Sequence, residues 1–404
     1  MTADHEVDVC IAGAGPAGLT LALLLANEGI RTLVLEHAED FHREYRGEVL
    51  VPRFMQAFEQ VGLDRVIAGA PQQKLDGLYL DYRDRRVAFV RFAAVSRTHP
   101  YALWMPQPAM LAALHERGRR MPAYDLWFHA SARELVREGD RVTGVVVRRG
   151  EEHVRVRARL VVAADGRYSR LRKDAGVELE IDEHEFDVIW FDLPRPPGHE
   201  ATFRAWLAPH RNYLLLPKYP DLFQCGMIAE PSALSHYRAR GLEALRSDLL
   251  AGPPAFHSFA RALTDFSPFV PLEARMALAS TWAQDGFLLV GDAAHTCSPA
   301  GAVGVAVAVE TAIVAADVIR RGIHGGDLSQ HALAEVERLR KPDVRRILAL
   351  QRQFGRVFAA RSRRTRPFLV LLARLLATTG ILPIFLRRLA VRSEPLPVPA
   401  DLRL

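Results

Sequence analysis

Val7-Asp8-Val9-Cys10-Ile11-Ala12-Gly13-Ala14-Gly15-Pro16-Ala17-Gly18 decides the fold of this 404-residue chain. An apolar strand runs into glycines spaced G-x-G-x-x-G, and an apolar helix follows. Gly13 permits the tight turn, Gly15 leaves room for a pyrophosphate against the backbone, and Gly18 lets the helix pack on the strand. Ala14, Pro16 and Ala17 complete the loop, and the free N–H groups of a helix starting at Pro16 face the phosphates. The spacing predicts a helix over Pro16–Glu28, stopped by Asn27-Glu28-Gly29. The next strand, Thr32-Leu33-Val34-Leu35, ends in Glu36, about 20 residues beyond the glycines, where an acid accepts hydrogen bonds from ribose hydroxyls. Strand, turn, helix, strand and acid in this order specify a dinucleotide-binding βαβ unit.

A second apolar strand, Phe287–Val290, ends in Gly291-Asp292-Ala293-Ala294-His295. The chain therefore returns late to the nucleotide-binding sheet. Its length allows two domains, and a hydrophobic fraction of 49% is ordinary for a globular protein. Cys10, Cys225 and Cys297 lie far apart and suggest neither a disulfide framework nor a metal site. The net charge of +6 comes mainly from dispersed arginines without interleaved aromatics, so solvated faces explain it better than a nucleic-acid groove. The first strand starts almost at residue 5, with no room for a secretory leader, which predicts a reducing, cytoplasmic location.

The fold class expected is α/β, with a Rossmann-type nucleotide-binding domain, an inserted β-sheet substrate domain and a helical C-terminal region. Alternating strands are expected at 77–91 and a strand-rich stretch over 181–275, with helices at Pro52–Leu63, Pro106–Arg119, Gly241–Leu250 and Val303–Arg320. The expected partition is 1–75, 100–180 and 276–335 for the nucleotide domain, 76–99 and 181–275 for the substrate sheet, and 336–404 for the helical end.

Three motifs together resemble the group A FAD-dependent aromatic monooxygenases, the para-hydroxybenzoate hydroxylase-like superfamily. Gly13–Gly18 with Glu36 matches the family's ADP-binding motif. Ala164-Asp165-Gly166-Arg167-Tyr168-Ser169-Arg170-Leu171-Arg172 matches its DG motif, and Gly291-Asp292 with Pro299 matches its GD motif. Arg46-Gly47 and Gln107 agree with smaller family features. Asp187-Val188-Ile189-Trp190-Phe191 and the arginine-rich tail resemble a bacterial branch near the ubiquinone-biosynthesis hydroxylases. The resemblance implies FAD as cofactor, with NADPH or NADH as co-substrate binding near Arg46 and Asp165-Gly166. It further implies ribityl binding by Asp292, and hydroxylation of an aromatic, quinol or polyketide-like molecule by O2 through a flavin C4a-hydroperoxide. The cofactor supplies the hard chemistry, so no protein nucleophile or metal is expected.

The family usually has Gly-Gly-x-Gly-x-Asn after the proline. Here Gly301-Ala302-Val303-Gly304-Val305-Ala306 adds a Cβ at Ala302 and removes an amide at Ala306. Gly304 and Val305 still open a helix whose N-terminus can stabilise negative charge on a flavin. Trp190, Tyr213 and Gln224 are the expected substrate contacts. Tyr213, Arg46 and His184 are the candidate catalytic groups, and His295 is expected to be structural. Rival functions are a flavin halogenase or dehydrogenase, or a flavin-binding protein without turnover. The apolar tail through Phe368–Leu386 is broken by Arg374, Gly380 and Pro383. It is expected to pack on the flavin domain, with interfacial membrane contact as the alternative. The oligomeric state is not legible.

Overall fold

The computed structural model describes residues 2–42, 48–82, 85–182, 186–196, 202–208, 211–218, 221–359 and 381–404. Strand Thr2–Ala12 lies between two parallel neighbours, Thr32–Leu35 and Glu152–Ala163. Tyr124–Trp127 extends this sheet beyond Thr32–Leu35, and Phe287–Leu289 extends it beyond Glu152–Ala163, both in parallel. The Phe287–Leu289 strand is therefore the returning segment expected from the sequence. An antiparallel hairpin, Ala130–Glu138 and Arg141–Arg149, continues from the start of Glu152–Ala163. Strands buried on both faces carry near-continuous apolar residues, which is why Val9 to Ala12 and Leu160 to Ala163 show no alternation.

Helix Pro16–Asn27 starts where Pro16 fixes the backbone at the first turn, and ends at Gly29, whose φ of +75° suits glycine. It packs against Gly304–Gly325 and Gln107–Gly118. Nearly every residue of Pro16–Asn27 is buried, so it is a core helix rather than an amphipathic surface one.

A seven-stranded sheet holds, in spatial order, 270–273, 187–194, 222–229, 212–218, 203–207, 77–82 and 85–91. The early segment 77–91 joins it through a parallel pairing of Phe203–Leu207 with Gly77–Tyr82. One face carries Val188, Trp190, Leu216 and Ile228 towards the main core. The other carries Ile189, Phe191, Tyr213, Cys225 and Met227 into a separate core closed by Leu245, Leu249 and Phe256. A small antiparallel sheet, Leu179–Asp182, Met276–Ala279 and His295–Thr296, ties the two large sheets together and has no clear periodic signal in the sequence.

Helix Gln330–Ala359 follows, and the chain end from 381 returns to the nucleotide domain. There Gln60 bonds the backbone of Leu396, and the Leu404 N–H donates to Val61 O at 2.9 Å. Leu386 and Leu389 are buried, so this described part of the apolar tail packs on the protein. Residues 360–380 lie outside the described residues, and no helix of the described chain is long and apolar enough to cross a membrane.

Candidate active site

The turn after Thr2–Ala12 is built around glycines that nothing larger could replace. Gly13 has φ +106°, and a Cβ there would stand 2.4 Å from the Ala164 carbonyl oxygen. At Gly18 a Cβ would stand 2.0 Å from the Gly13 carbonyl oxygen. These close approaches bring strand, helix and the Ala164-Asp165-Gly166 segment together. Glu36 is fully buried at the end of its strand, where it accepts the Ala14 N–H at 3.0 Å and the Ala38 N–H at 3.1 Å.

At the start of helix Arg170–Asp174, whose N-cap is Ser169, Asp165 Oδ2 accepts the Arg170 N–H at 2.8 Å. Its other oxygen is buried with no partner among the described residues, and burial pushes its pKa up against the backbone hydrogen bonds. Arg172, from the same helix, donates to the Ala293 carbonyl at 3.0 Å and joins the Asp165 segment to the Gly291-Asp292 turn. Glycine-lined backbone opening a helix fits a ligand rich in phosphate groups.

The Pro299–Val303 loop is clamped from beneath. Gln351, fully buried in Gln330–Ala359, donates to Ser298 O at 2.8 Å and Ala300 O at 2.6 Å, and accepts the Ser298 N–H at 3.2 Å. Ala302 has φ +52°, so the loop keeps a glycine-like path despite the side chain, at a cost of about 1 kcal/mol. Ala306 is buried in the following helix. That helix, Gly304–Gly325, has no side-chain cap, and its first residues border the site with free N–H groups.

These pieces enclose one continuous cavity of about 350 Å3. Gly15, Pro16, Ala17, Gly166 and Asp292 border it at one end. Pro299, Gly301, Ala302, Gly304 and Val305 border it along the loop and helix, and Gln107 adds its buried side chain. Trp190 and Gln224 line the seven-stranded sheet side, with Leu214 and Leu216 between them and the sheet edge. Gly226 makes room for the indole, since a Cβ there would meet Trp190 Cζ3 at 2.8 Å. The Trp190 N–H is buried and has no partner among the described residues. Gly13, Ala14, Gly18, Glu36, Asp165 and Gly291 stand behind this wall rather than on it.

Tyr213 is a correction. It neighbours cavity residue Leu214 but points to the opposite face, donating its hydroxyl to the Asp248 carbonyl at 2.8 Å and meeting Phe256 edge-on. Burial pushes its pKa up, and it cannot reach a molecule in the cavity. Arg46 and His184 lie outside the described residues. His295 is buried against Thr311 Oγ1 at 2.8 Å, and burial with the nearby Arg340 lowers its pKa to about 3, so it stays neutral.

Two kinds of cavity residue carry no pattern in the sequence. Leu386 and Leu389 arrive from the chain end, and a Cβ on Gly301 would lie 2.5 Å from Leu389 Cδ2. Glu48 is an isolated acid at the head of the apolar Val49-Leu50-Val51, which was its one available signal.

The chain matches the family model described as FAD binding domain over residues 6–350. It is 33% identical over 402 residues to 6-methylpretetramide 4-monooxygenase of Streptomyces rimosus, covering 98% of this chain and 95% of that protein. Among solved structures, OxyS anhydrotetracycline hydroxylase from Streptomyces rimosus superposes with a TM-score of 0.75 at 25% identity, over 96% of this chain and 77% of that one. The p-nitrophenol 4-monooxygenase PnpA from Pseudomonas putida DLL-E4 shares the fold alone, with a TM-score of 0.79 at 18% identity, over 96% of this chain and all (100%) of that one. With the glycine-lined turn and the cavity between two sheets, these matches place the chain in the FAD-dependent group A flavoprotein monooxygenases.

Proposed function

We propose that the protein hydroxylates a polycyclic phenol of polyketide type, taking one oxygen atom from O2 and electrons from NADPH or NADH. The observation that carries this reading is one continuous cavity bordered by Gly15–Ala17 and Asp292 and by an apolar sheet face. The polyketide substrate named for the relative at 33% identity supports the substrate class.

In this reading Gly13–Gly18 and Glu36 hold the adenosine diphosphate half of FAD, Asp292 holds the ribityl chain, and Gln107 and Pro299–Val305 border the flavin ring. Arg46 and the Asp165-Gly166 segment receive the nicotinamide cofactor. Bound FAD supplies hydride acceptance and oxygen activation. The chain's own residues position and exclude. Trp190 and Gln224 offer polar atoms from an otherwise apolar wall, and Val188, Leu214, Leu216 and Ile228 keep water from the reacting atoms. The helix N-terminus at Gly304 favours negative charge in the cavity. The catalytic body then comprises residues 1–75, 100–180 and 276–335, the substrate sheet 76–99 and 181–275, and the protein works in the cytoplasm.

The test is a visible spectrum of the purified protein, then anaerobic mixing with NADPH alone and with a panel of polycyclic phenols. A yellow protein whose flavin bleaches faster with one phenol present is expected. Flavin that NADPH never reduces, with or without phenols, would overturn the reading in favour of a non-turnover flavin carrier.

A further inference from the structure

Val188, Trp190 and Asp192 share one face of strand Asp187–Pro194, as Leu214, Leu216 and Lys218 share one face of Asn212–Lys218. Gln224 lies between them, registered with both Asp192 and Leu216. The apolar cavity face thus ends in charge: Lys218 Nζ meets Asp192 Oδ2 at 2.5 Å. Glu48 also borders the cavity, its carbonyl accepting the Met105 N–H at 2.9 Å, and Lys218 and Asp192 are its charged neighbours. Its Oε2 is buried without a hydrogen-bond partner among the described residues, and so is Asp192 Oδ1. An unmatched carboxylate oxygen beside an apolar cavity costs free energy unless a ligand donates to it.

We propose that Glu48 is the proton acceptor for the phenolic hydroxyl of the bound substrate, a role that rests on the hydroxylase reading above. The substrate O–H bond breaks and the Glu48 Oε2–H bond forms. The electron pair stays on the phenolic oxygen and enriches the ring for attack by an electrophilic oxygen. The carboxyl then loses its proton to water past Asp192 and Lys218, whose side chains are each 25% exposed. Trp190 N–H and Gln224 can hold the ring and its substituents at the same end. Burial lifts the Glu48 pKa to about 7, with Lys218 pulling it down and Asp192 pushing it up. Among the described residues, the other charged groups bordering the cavity are Arg167 and Asp292. A base with that pKa divides its population between the two protonation states at neutral pH, the condition in which proton transfer in both directions is efficient.

The experiment uses the FAD-loaded full chain as wild type, Glu48→Gln and Glu48→Asp. The probe is 1-naphthol, whose near-ultraviolet band shifts on ionisation and which ionises in water only under alkaline conditions. Binding is followed by quenching, and naphthol-dependent NADPH oxidation is followed by absorbance across pH. In wild type, kcat/KM for naphthol-dependent NADPH oxidation is expected to rise as pH passes upward through about 7 and the carboxyl ionises. Glu48→Gln should bind naphthol and FAD but lose that rise with pH, and its naphthol-dependent NADPH oxidation should drop about 10²–10⁴-fold in kcat with little change in KM. Glu48→Asp should keep a step in the neutral range. A wild-type step retained in Glu48→Gln, or no neutral step in wild type, overturns the proposal. Wild-type holoenzyme that binds neither naphthol nor any phenol of the wider panel removes the hydroxylase reading first, and the role of Glu48 with it. Should Glu48→Gln lose FAD, the wild-type and Glu48→Asp profiles still decide.

Discussion

Gly226 and Trp190 show how a single hydrogen atom shapes the cavity wall. A Cβ at residue 226 would stand 2.8 Å from both Trp190 Cζ3 and Val188 Cγ1. Gly226→Ala should therefore push the indole off its position at a cost of about 1–3 kcal/mol. The expected result is a raised KM for the phenol, with FAD affinity unchanged because the nucleotide end is untouched. An unchanged KM would mean that the indole does not meet substrate. At Glu36 the buried carboxylate already accepts two backbone N–H groups, so Glu36→Ala strips acceptors from both. It should weaken FAD retention by about 2–4 kcal/mol, read as the FAD dissociation constant by fluorescence.

Among the elements, Gln330–Ala359 does more than cover the core. Through Gln351 it makes three hydrogen bonds to the Ser298–Ala300 backbone and so fixes the loop that opens helix Gly304–Gly325. Gln351→Leu leaves those groups buried and unpaired. The holoprotein should lose about 3 kcal/mol of stability and release FAD more readily, seen as a lower melting temperature and a faster dissociation of flavin fluorescence. Retention of wild-type flavin affinity would show that the loop holds its path without the clamp.

For the whole molecule, one buried ionic cluster connects the helix Pro52–Gln60, the cavity helix, Gln330–Ala359 and the chain end. Arg53 grips Glu310 bidentately at 2.6 and 2.7 Å, Arg340 joins at 2.6 Å, and Arg392 at 3.2 Å. Asp343 completes the cluster beside Arg53, Arg340 and Arg346. Burial alone would raise the Glu310 pKa, but Arg53 and Arg340 outweigh it and hold the carboxyl below its usual range. At Asp343 the same balance leaves the pKa at about 2. Depressed folded-state values mean that this stabilisation is complete above the unfolded carboxylate range and is lost as pH falls through about 4 towards 2. Urea midpoints measured across that window should fall steeply in wild type. Glu310→Gln should cost about 3–5 kcal/mol at neutral pH and flatten the acid limb, because three arginines then lack their central partner. A variant as stable as wild type would show the cluster to be replaceable.

The residues of the first βαβ unit were readable because close backbone approach leaves no alternative to glycine at 13 and 18, and a strand-end acid at 36 follows from the same geometry. The returning Phe287–Leu289 strand was readable because its apolar run ends in Gly-Asp. The facing of the substrate sheet was not. Strands 187–194, 212–218 and 222–229 are apolar on both sides, one towards the cavity and one towards Leu245, Leu249 and Phe256. Without alternation the sequence cannot say which parity looks inward, and a one-residue difference separates Leu214 in the wall from Tyr213 behind it. Leu389 and Gln351 come to the site from distant segments by packing alone, and Glu48 had only its place before an apolar run to announce it. Local backbone sterics, carried by residue type, determined from the sequence where a dinucleotide would bind. Long-range packing, which depends on which faces meet, decided the shape of the cavity and the acid within it.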